Sequence, residues 1–110
     1  MQHAASPAPF ELSNPKKLYN PRPFAYSHMA EVRHFSRILH ISGQGGENQQ
    51  GQLSQDFAQQ VHQAFVNLQH ALQAADASLL DIAVLRVLVV DHSTKKHQFL
   101  IQEMQQCWKV

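Results

Sequence analysis

The sequence predicts a single α+β domain in which two amphipathic helices lie on a strand-rich sheet. Hydrophobic residues make up 44% of the 110 positions and charged residues 15%, a balance that is typical of globular proteins. Apolar residues recur at helical spacing after residue 52, while other segments alternate or are continuously apolar, as strands are. A second domain would be too small to bury its own core.

Charge and cysteine content exclude several classes of protein. Nine Lys+Arg residues oppose eight Asp+Glu residues, for a formal net charge of +1, whereas nucleic-acid binders concentrate positive charge against phosphates. Cys107 is the only cysteine, which favours a reducing compartment. No segment has the roughly 18 apolar residues of a membrane span, and residues 1–10 lack the pattern of a secretory signal. We therefore expect a cytoplasmic protein that binds neither nucleic acid nor membrane.

Proline and glycine divide the chain. All five prolines lie within the first 23 residues, and all four glycines lie between residues 43 and 51. Because proline removes a backbone donor and restricts the preceding residue, residues 1–23 are predicted to be a Pro-rich N-terminal arm without helix. Residues 24–110 would form the domain itself, with one long glycine-containing loop.

Two strands are predicted after the arm. In segment 26–33 alternate residues share one face, namely Tyr26, His28, Ala30 and Val32. Segment 38–42 is the second predicted strand, joined to the first as a hairpin by residues 34–37.

A helix is predicted at residues 53–75, about 33 Å long at 1.5 Å per residue. Its apolar stripe has three- and four-residue spacings and consists of Leu53, Phe57, Val61, Ala64, Phe65, Leu68, Leu72 and Ala75. Ser54 is the predicted N-cap, and Asp56 would place negative charge in the first turn, where the helix dipole favours it.

A third strand and a second helix complete the predicted order ββαβα. Segment 82–90 is apolar on both faces except at Arg86, which is typical of a doubly buried strand. Residues 91–94 end it and offer hydroxyl caps to a helix at 95–108, with an inner face formed by Phe99 or Leu100, Met104, Cys107 and Trp108. Two helices leave one apolar face of this strand uncovered, so we expect a homo-oligomer whose sheets pack together.

Few residues suggest chemistry by themselves. The eight histidines include no HExxH pair and accompany no paired cysteines, so we expect no metal site. Cys107 lies on a predicted apolar stripe and is not expected to be a nucleophile. Arg86 must find an anion in its apolar strand, and a structural ion pair is favoured over a ligand carboxylate.

The glycine-rich stretch 42–46 resembles a phosphate loop only superficially, because it lacks the GK[ST] ending and no helix follows directly. It would expose backbone amides at a strand end, with no Cβ at Gly43 to block an anion such as a carboxylate. The alternative is a flexible connector that needs positive φ.

The ordered set of segments resembles the Rid family, the YjgF-type (RidA-like, endoribonuclease L-PSP-like) enamine/imine deaminases. The matching segments are Tyr26-Ser27-His28, Ile41-Ser42-Gly43-Gln44, 64–68, 77–82 and 87–91. They follow one another with family spacing, and the resemblance covers about residues 14–108.

The resemblance implies a chorismate-mutase-like fold with a mixed sheet, two helices on one face, and a homotrimer with ligand clefts between subunits. It implies cofactor-free hydrolysis of reactive enamines and imines, such as 2-aminoacrylate, to 2-keto acids and ammonia. Tyr26 would line the cleft, and Ser42, Gly43 and Gln44 would meet a small carboxylate ligand.

The family's carboxylate-binding Arg and water-positioning Glu would fall on strands beyond Val110, so no catalytic residue is assigned. Two hypotheses follow. One is a deaminase, and the other is a non-catalytic trimer that binds a small carboxylate or a partner.

Overall fold

The computed structural model describes residues 9–109. By its internal packing the chain divides into two compact units, Met1–Leu39 and His40–Val110, and each unit is described in turn. The part of the Pro-rich arm before residue 9 lies outside the described residues. The domain boundary at residue 23 remains a prediction.

The first unit contains a two-stranded antiparallel sheet. Strand β1, Phe10–Ser13, pairs with strand β2, Met29–Val32, with Phe10 opposite Val32 and Ser13 opposite Met29. The amide of Arg33 donates to the Pro9 carbonyl oxygen at 2.7 Å and extends the pairing by one step.

The predicted hairpin between segments 26–33 and 38–42 is therefore wrong. Strand β2 lies within the first segment, but its partner comes from the arm, and residues 38–42 form no strand in the described structure. The four residues of β1 lie between Pro9 and Pro15 and keep all their backbone donors, so this short stretch can form a ladder. The sheet of the described residues is antiparallel, not mixed.

One turn of 3-10 helix, Arg22–Phe24, begins at the end of the arm, with Pro21 as N-cap. The expectation that the arm excludes helix is thus wrong at this position. Proline is tolerated in a first turn because the amide it lacks would have no intrahelical partner there. Pro21 is fully buried, and Ala25 ends the turn with a left-handed φ of 63°.

The second unit is built on two helices. Helix α1 is Phe57–Ala74, and its N-cap is Asp56, whose side chain accepts from the Gln59 amide at 3.1 Å. The helix is thus shorter than predicted, about 27 Å, and the predicted Ser54 cap is wrong. The Ser54 hydroxyl accepts from the Asp56 amide instead, because the chain turns into the helix two residues later.

Helix α2, Thr94–Trp108, agrees closely with the prediction, and Ser93 caps it by accepting from the Lys96 amide at 3.1 Å. The buried hydrophobic side chains of the described residues are Phe65 and Leu72 of α1 and Leu100 of α2. Trp108 meets Phe65 edge to face, with 6.0 Å between ring centroids, and its indole Nε1 donates to the Leu79 carbonyl oxygen at 3.2 Å. The core of this unit therefore lies between the two helices.

Segment 82–90 forms no strand among the described residues, and it is largely exposed in the single chain: Val84 is 80% and Leu88 87% exposed. The predicted doubly buried strand is wrong for the chain by itself, because a strand needs a neighbour for its backbone groups. Arg86 is exposed too, and within residues 9–109 the structure gives it no ion pair. In water an exposed guanidinium requires no partner.

None of the helices in the described structure has both the length and the apolar character needed to cross a bilayer.

Candidate functional site

Tyr26 lies in a cluster of rings in the first unit. It meets Tyr19 and His28 edge to face, with centroid distances of 6.3 and 5.5 Å. Tyr19 also contacts His28 at 4.9 Å and Phe24 at 6.2 Å. Tyr26 keeps 42% of its surface exposed, so the cluster presents an accessible aromatic face. We name these four residues, Tyr19, Phe24, Tyr26 and His28, the aromatic cluster.

Two hydrogen bonds fix His28 within this cluster. Its backbone amide donates to Asn14 Oδ1 at 2.8 Å, and its ring Nε2 lies 2.7 Å from the Tyr19 carbonyl oxygen. A carbonyl oxygen can only accept, so Nε2 must carry the proton of this bond. In the neutral ring Nδ1 is therefore the acceptor nitrogen.

Ser42, Gly43 and Gln44 lie together in the second unit, in an exposed stretch that precedes the glycine loop. Gln44 Nε2 donates to the Ser42 carbonyl oxygen at 3.2 Å. A Cβ built on Gly43 meets no atom within 4 Å. Within residues 9–109 neither the Gly43 amide nor the Ser42 hydroxyl has a hydrogen-bond partner. These groups are thus open to a ligand that accepts hydrogen bonds, such as a carboxylate.

The loop behind this stretch is an ordered structure. Asn67 of α1 donates through Nδ2 to the carbonyl oxygens of Gly45 and Glu47, at 2.9 and 2.8 Å. Gly46 packs so closely on α1 that an added Cβ would lie 2.7 Å from the Gln60 carbonyl oxygen. The helix therefore holds the loop from one side.

A tight turn closes the same loop. Asn48 Oδ1 accepts from the amides of Gln50 and Gln52 at 3.0 and 2.9 Å. Glu47 and Leu53 form an isolated antiparallel β-bridge through their backbones. Left-handed φ is needed at Gly51, which has a φ of 78°, and at none of the other glycines. The glycines of the stretch 42–46 therefore do not have the positive φ that the alternative of a connector required.

Sequence reasoning missed the contact between Tyr26 and Tyr19. Tyr19 fell in the arm, where no element was assigned that could place it beside Tyr26. The signal was the density of aromatic residues around Pro21 and Pro23, because turns bring residues close in sequence close in space.

A cluster of polar side chains joins α1 and α2. His62 Nδ1 and Glu103 Oε1 are 2.5 Å apart, with Glu103 largely buried and His62 exposed. Burial raises the pKa of the Cys107 thiol, the charge of Glu103 raises that pKa further, and a 3.9 Å hydrogen bond from Gln69 opposes both. A raised pKa keeps the thiol protonated at neutral pH, which makes it a poor nucleophile.

The described residues contain no group of three side chains that could hold a metal ion.

Comparison with known proteins places these residues in context. The sequence model of the family described as Endoribonuclease L-PSP matches residues 20–106. Among solved structures, the chain is similar to YyfB from Yersinia pestis, described as a protein of unknown function of the conserved Rid protein family. The two share 32% sequence identity and superpose with a TM-score of 0.85, over 92% of this chain and 77% of the other. This likeness confirms the predicted α+β fold. No functionally curated protein matches the chain significantly.

Proposed function

The chain belongs to the Rid family, described also as Endoribonuclease L-PSP, and on that premise we propose that it hydrolyses reactive enamines and imines to 2-keto acids and ammonia. The observation that carries the proposal is family membership across nearly the whole chain. Tyr26 and the stretch Ser42, Gly43 and Gln44 are the residues proposed to meet the ligand.

The chemistry asks little of the protein. An enamine such as 2-aminoacrylate takes a proton on its terminal carbon to give the imine of pyruvate. Water then adds to the imine carbon, the C–N bond breaks, and ammonia leaves. Because the imine carbon is already electrophilic, the protein must mainly hold the carboxylate and orient one water. No cofactor is needed in this scheme.

The open backbone at Gly43 supports a carboxylate site. Its amide and the Ser42 hydroxyl can donate to an anion, and no Cβ restricts the approach. Backbone donors are strong ligands for carboxylates where solvent is displaced. The net charge of +1 supplies no broad positive surface for RNA, so we do not propose RNA as the substrate.

We also propose a cytoplasmic homotrimer with the ligand site between subunits. The exposed apolar side chains of Val84, Leu88 and Val90 support self-association, because large exposed apolar surfaces often mark interaction sites. Light scattering coupled to size-exclusion chromatography at micromolar concentration tests it. A mass near 12.5 kDa would contradict the trimer.

The activity is tested with 2-aminoacrylate generated in the assay, by measuring pyruvate and ammonia release against buffer. Gly43→Ala is the informative variant, since the structure leaves space for its methyl group and Gly43 lacks left-handed φ. We expect an unchanged fold and a loss of about tenfold or more in kcat/KM, equivalent to about 1.4 kcal/mol.

His70→Ala, at an exposed position of α1, is the control and should keep full activity. A wild-type rate equal to that of buffer would contradict the deaminase. Binding of short 2-keto acids without turnover would support instead a non-catalytic, carboxylate-binding member of the family.

A further inference from the structure

His28 is the residue that best connects the aromatic cluster to the backbone. Its ring touches both tyrosines, with centroids 4.9 Å from Tyr19 and 5.5 Å from Tyr26, at interplanar angles of 86° and 81°. Its Nε2 bonds to the Tyr19 carbonyl oxygen. The ring of His28 therefore cannot rotate without breaking a hydrogen bond and two edge-to-face contacts, each contact being a favourable aromatic arrangement.

This attachment does not depend on the charge of the imidazole. The Nε2–H group that bonds to Tyr19 is present in the neutral tautomer assigned above and also in the protonated ring. The hydrogen bond from His28 to Tyr19 is thus available in both protonation states.

We propose that His28 is a positioning residue for Tyr26: its Nε2–H bond to the Tyr19 carbonyl holds the imidazole, and the imidazole holds the Tyr26 ring at the ligand site. The part of this statement that concerns the ligand rests on the proposed function, in which Tyr26 contacts the substrate. The part that concerns the ring does not. A ring that is already ordered loses less conformational entropy when a ligand binds, so the effect falls mainly on affinity.

Three substitutions separate the hydrogen bond from the ring contacts. His28→Gln places an amide donor at the position of Nε2 and keeps the bond to Tyr19. His28→Asn has a donor too short to reach it. His28→Phe keeps an aromatic ring and loses the donor. His70→Phe, on the exposed face of α1, is the matched control.

The first measurement is NMR of the full-length chain without ligand. We expect 15N shifts that assign the Nε2–H tautomer to His28, and a Tyr26 ring that is ordered in the wild type and in His70→Phe. The order of the Tyr26 ring should fall in His28→Gln, which loses the ring contact, in His28→Phe, which loses the hydrogen bond, and most in His28→Asn, which loses both. The Nδ1–H tautomer, or a Tyr26 ring unchanged in His28→Asn and His28→Phe, would overturn the proposal.

The second measurement is steady-state kinetics on 2-aminoacrylate. We expect His28→Asn, His28→Phe and His28→Gln to raise KM about three- to tenfold with little change in kcat, as the loss of one pre-ordered side chain predicts. If Tyr26→Ala raises KM and the His28 variants do not, the positioning role fails while the proposed function stands. If the wild type shows no turnover, the proposed function fails, and the NMR result alone decides whether His28 orders Tyr26.

Discussion

The helical pair α1 and α2 and the segment 82–90 are both rich in apolar side chains, yet they differ in burial. Phe65, in the helical pair, is 6% exposed, whereas Leu88, in the segment, is 87% exposed. A helix satisfies its backbone hydrogen bonds internally and needs only one packed face, which two helices provide for each other. An extended segment needs a neighbouring strand for its backbone and a layer for each face. The helices are therefore complete within this chain, and the segment is not.

The largest expected effect comes from the helical core. Phe65→Ala removes the ring that meets Trp108 and should lower the free energy of unfolding by about 3–5 kcal/mol. Leu88→Ala, in the exposed segment, should change it by about 0.5 kcal/mol or less in a monomer. Chemical denaturation measures both. A loss of several kcal/mol for Leu88→Ala would mean that another subunit covers the segment in solution, as the proposed trimer requires.

The loop beside α1 gives the next largest effect. In Gly46→Ala the new methyl group would meet the Gln60 carbonyl oxygen at 2.7 Å, and the resulting strain should destabilise the fold by about 1–3 kcal/mol. Gly43→Ala, in the open stretch of the same loop region, is the matched control and should unfold at the wild-type denaturant concentration. Equal stability of the two variants would show that α1 does not hold the loop.

The start of α1 provides a smaller test of helical self-sufficiency. Asp56→Ala removes the cap on the Gln59 amide and should cost about 0.5–2 kcal/mol. Ser54→Ala removes a half-buried hydroxyl that bonds to the Asp56 amide and to the Gln59 side chain and should cost less, because this hydroxyl accepts from no amide of the helix itself. Thermal unfolding compares them. A larger loss for Ser54→Ala would restore Ser54 as the capping residue.

Thiol reactivity gives the smallest energetic effect and compares the regions directly. Burial and Glu103 raise the pKa of Cys107, so at pH 8 its thiolate fraction is low and iodoacetamide should modify it slowly. A cysteine introduced by Val84→Cys, at a position 80% exposed, should react much faster, which peptide mass spectrometry resolves.

Because the thiol of Cys107 ionises more readily in the unfolded chain, its contribution to stability should fall as pH rises above the ordinary thiol pKa. Glu103→Gln should speed its alkylation. Equal rates at Cys107 and the introduced cysteine would contradict the difference in burial.

The same contrast explains which predictions from sequence succeeded. The spacing of apolar residues identified both helices, and residues 91–94 were correctly expected to supply a hydroxyl cap for α2, because helix signals are local. The pairing of strands is not local. Segments 38–42 and 82–90 have strand-like sequences, but nothing in those sequences says which chain segment lies beside them. Strand β1 was missed because its four residues lie between prolines and show too short an alternating pattern to predict a strand. Its pairing with β2 is what identifies it.

The candidate site divides in the same way. The open approach to the backbone at Gly43 could be predicted from the sequence, because the missing Cβ is a property of the residue itself. The order of the loop behind it could not, since this depends on Asn67, more than twenty positions away along the chain from Gly45. The contacts of Tyr19 with Tyr26 and His28 link near neighbours in sequence, but predicting them required knowing that the chain turns at Arg22–Phe24.

Hydrogen bonds hold both ends of segment 82–90. At its start, Ile82 donates to the Leu79 carbonyl oxygen, which Trp108 also reaches. At its end, the Lys96 ammonium donates to the carbonyl oxygens of Val90 and Asp91, both at 3.0 Å, and lies over the Phe57 ring. Because both ends are held by the helices, segment 82–90 has fewer accessible conformations than a free chain of the same length. Pairing with a strand from another subunit of the proposed trimer should accordingly be fast, since little conformational entropy remains to be lost.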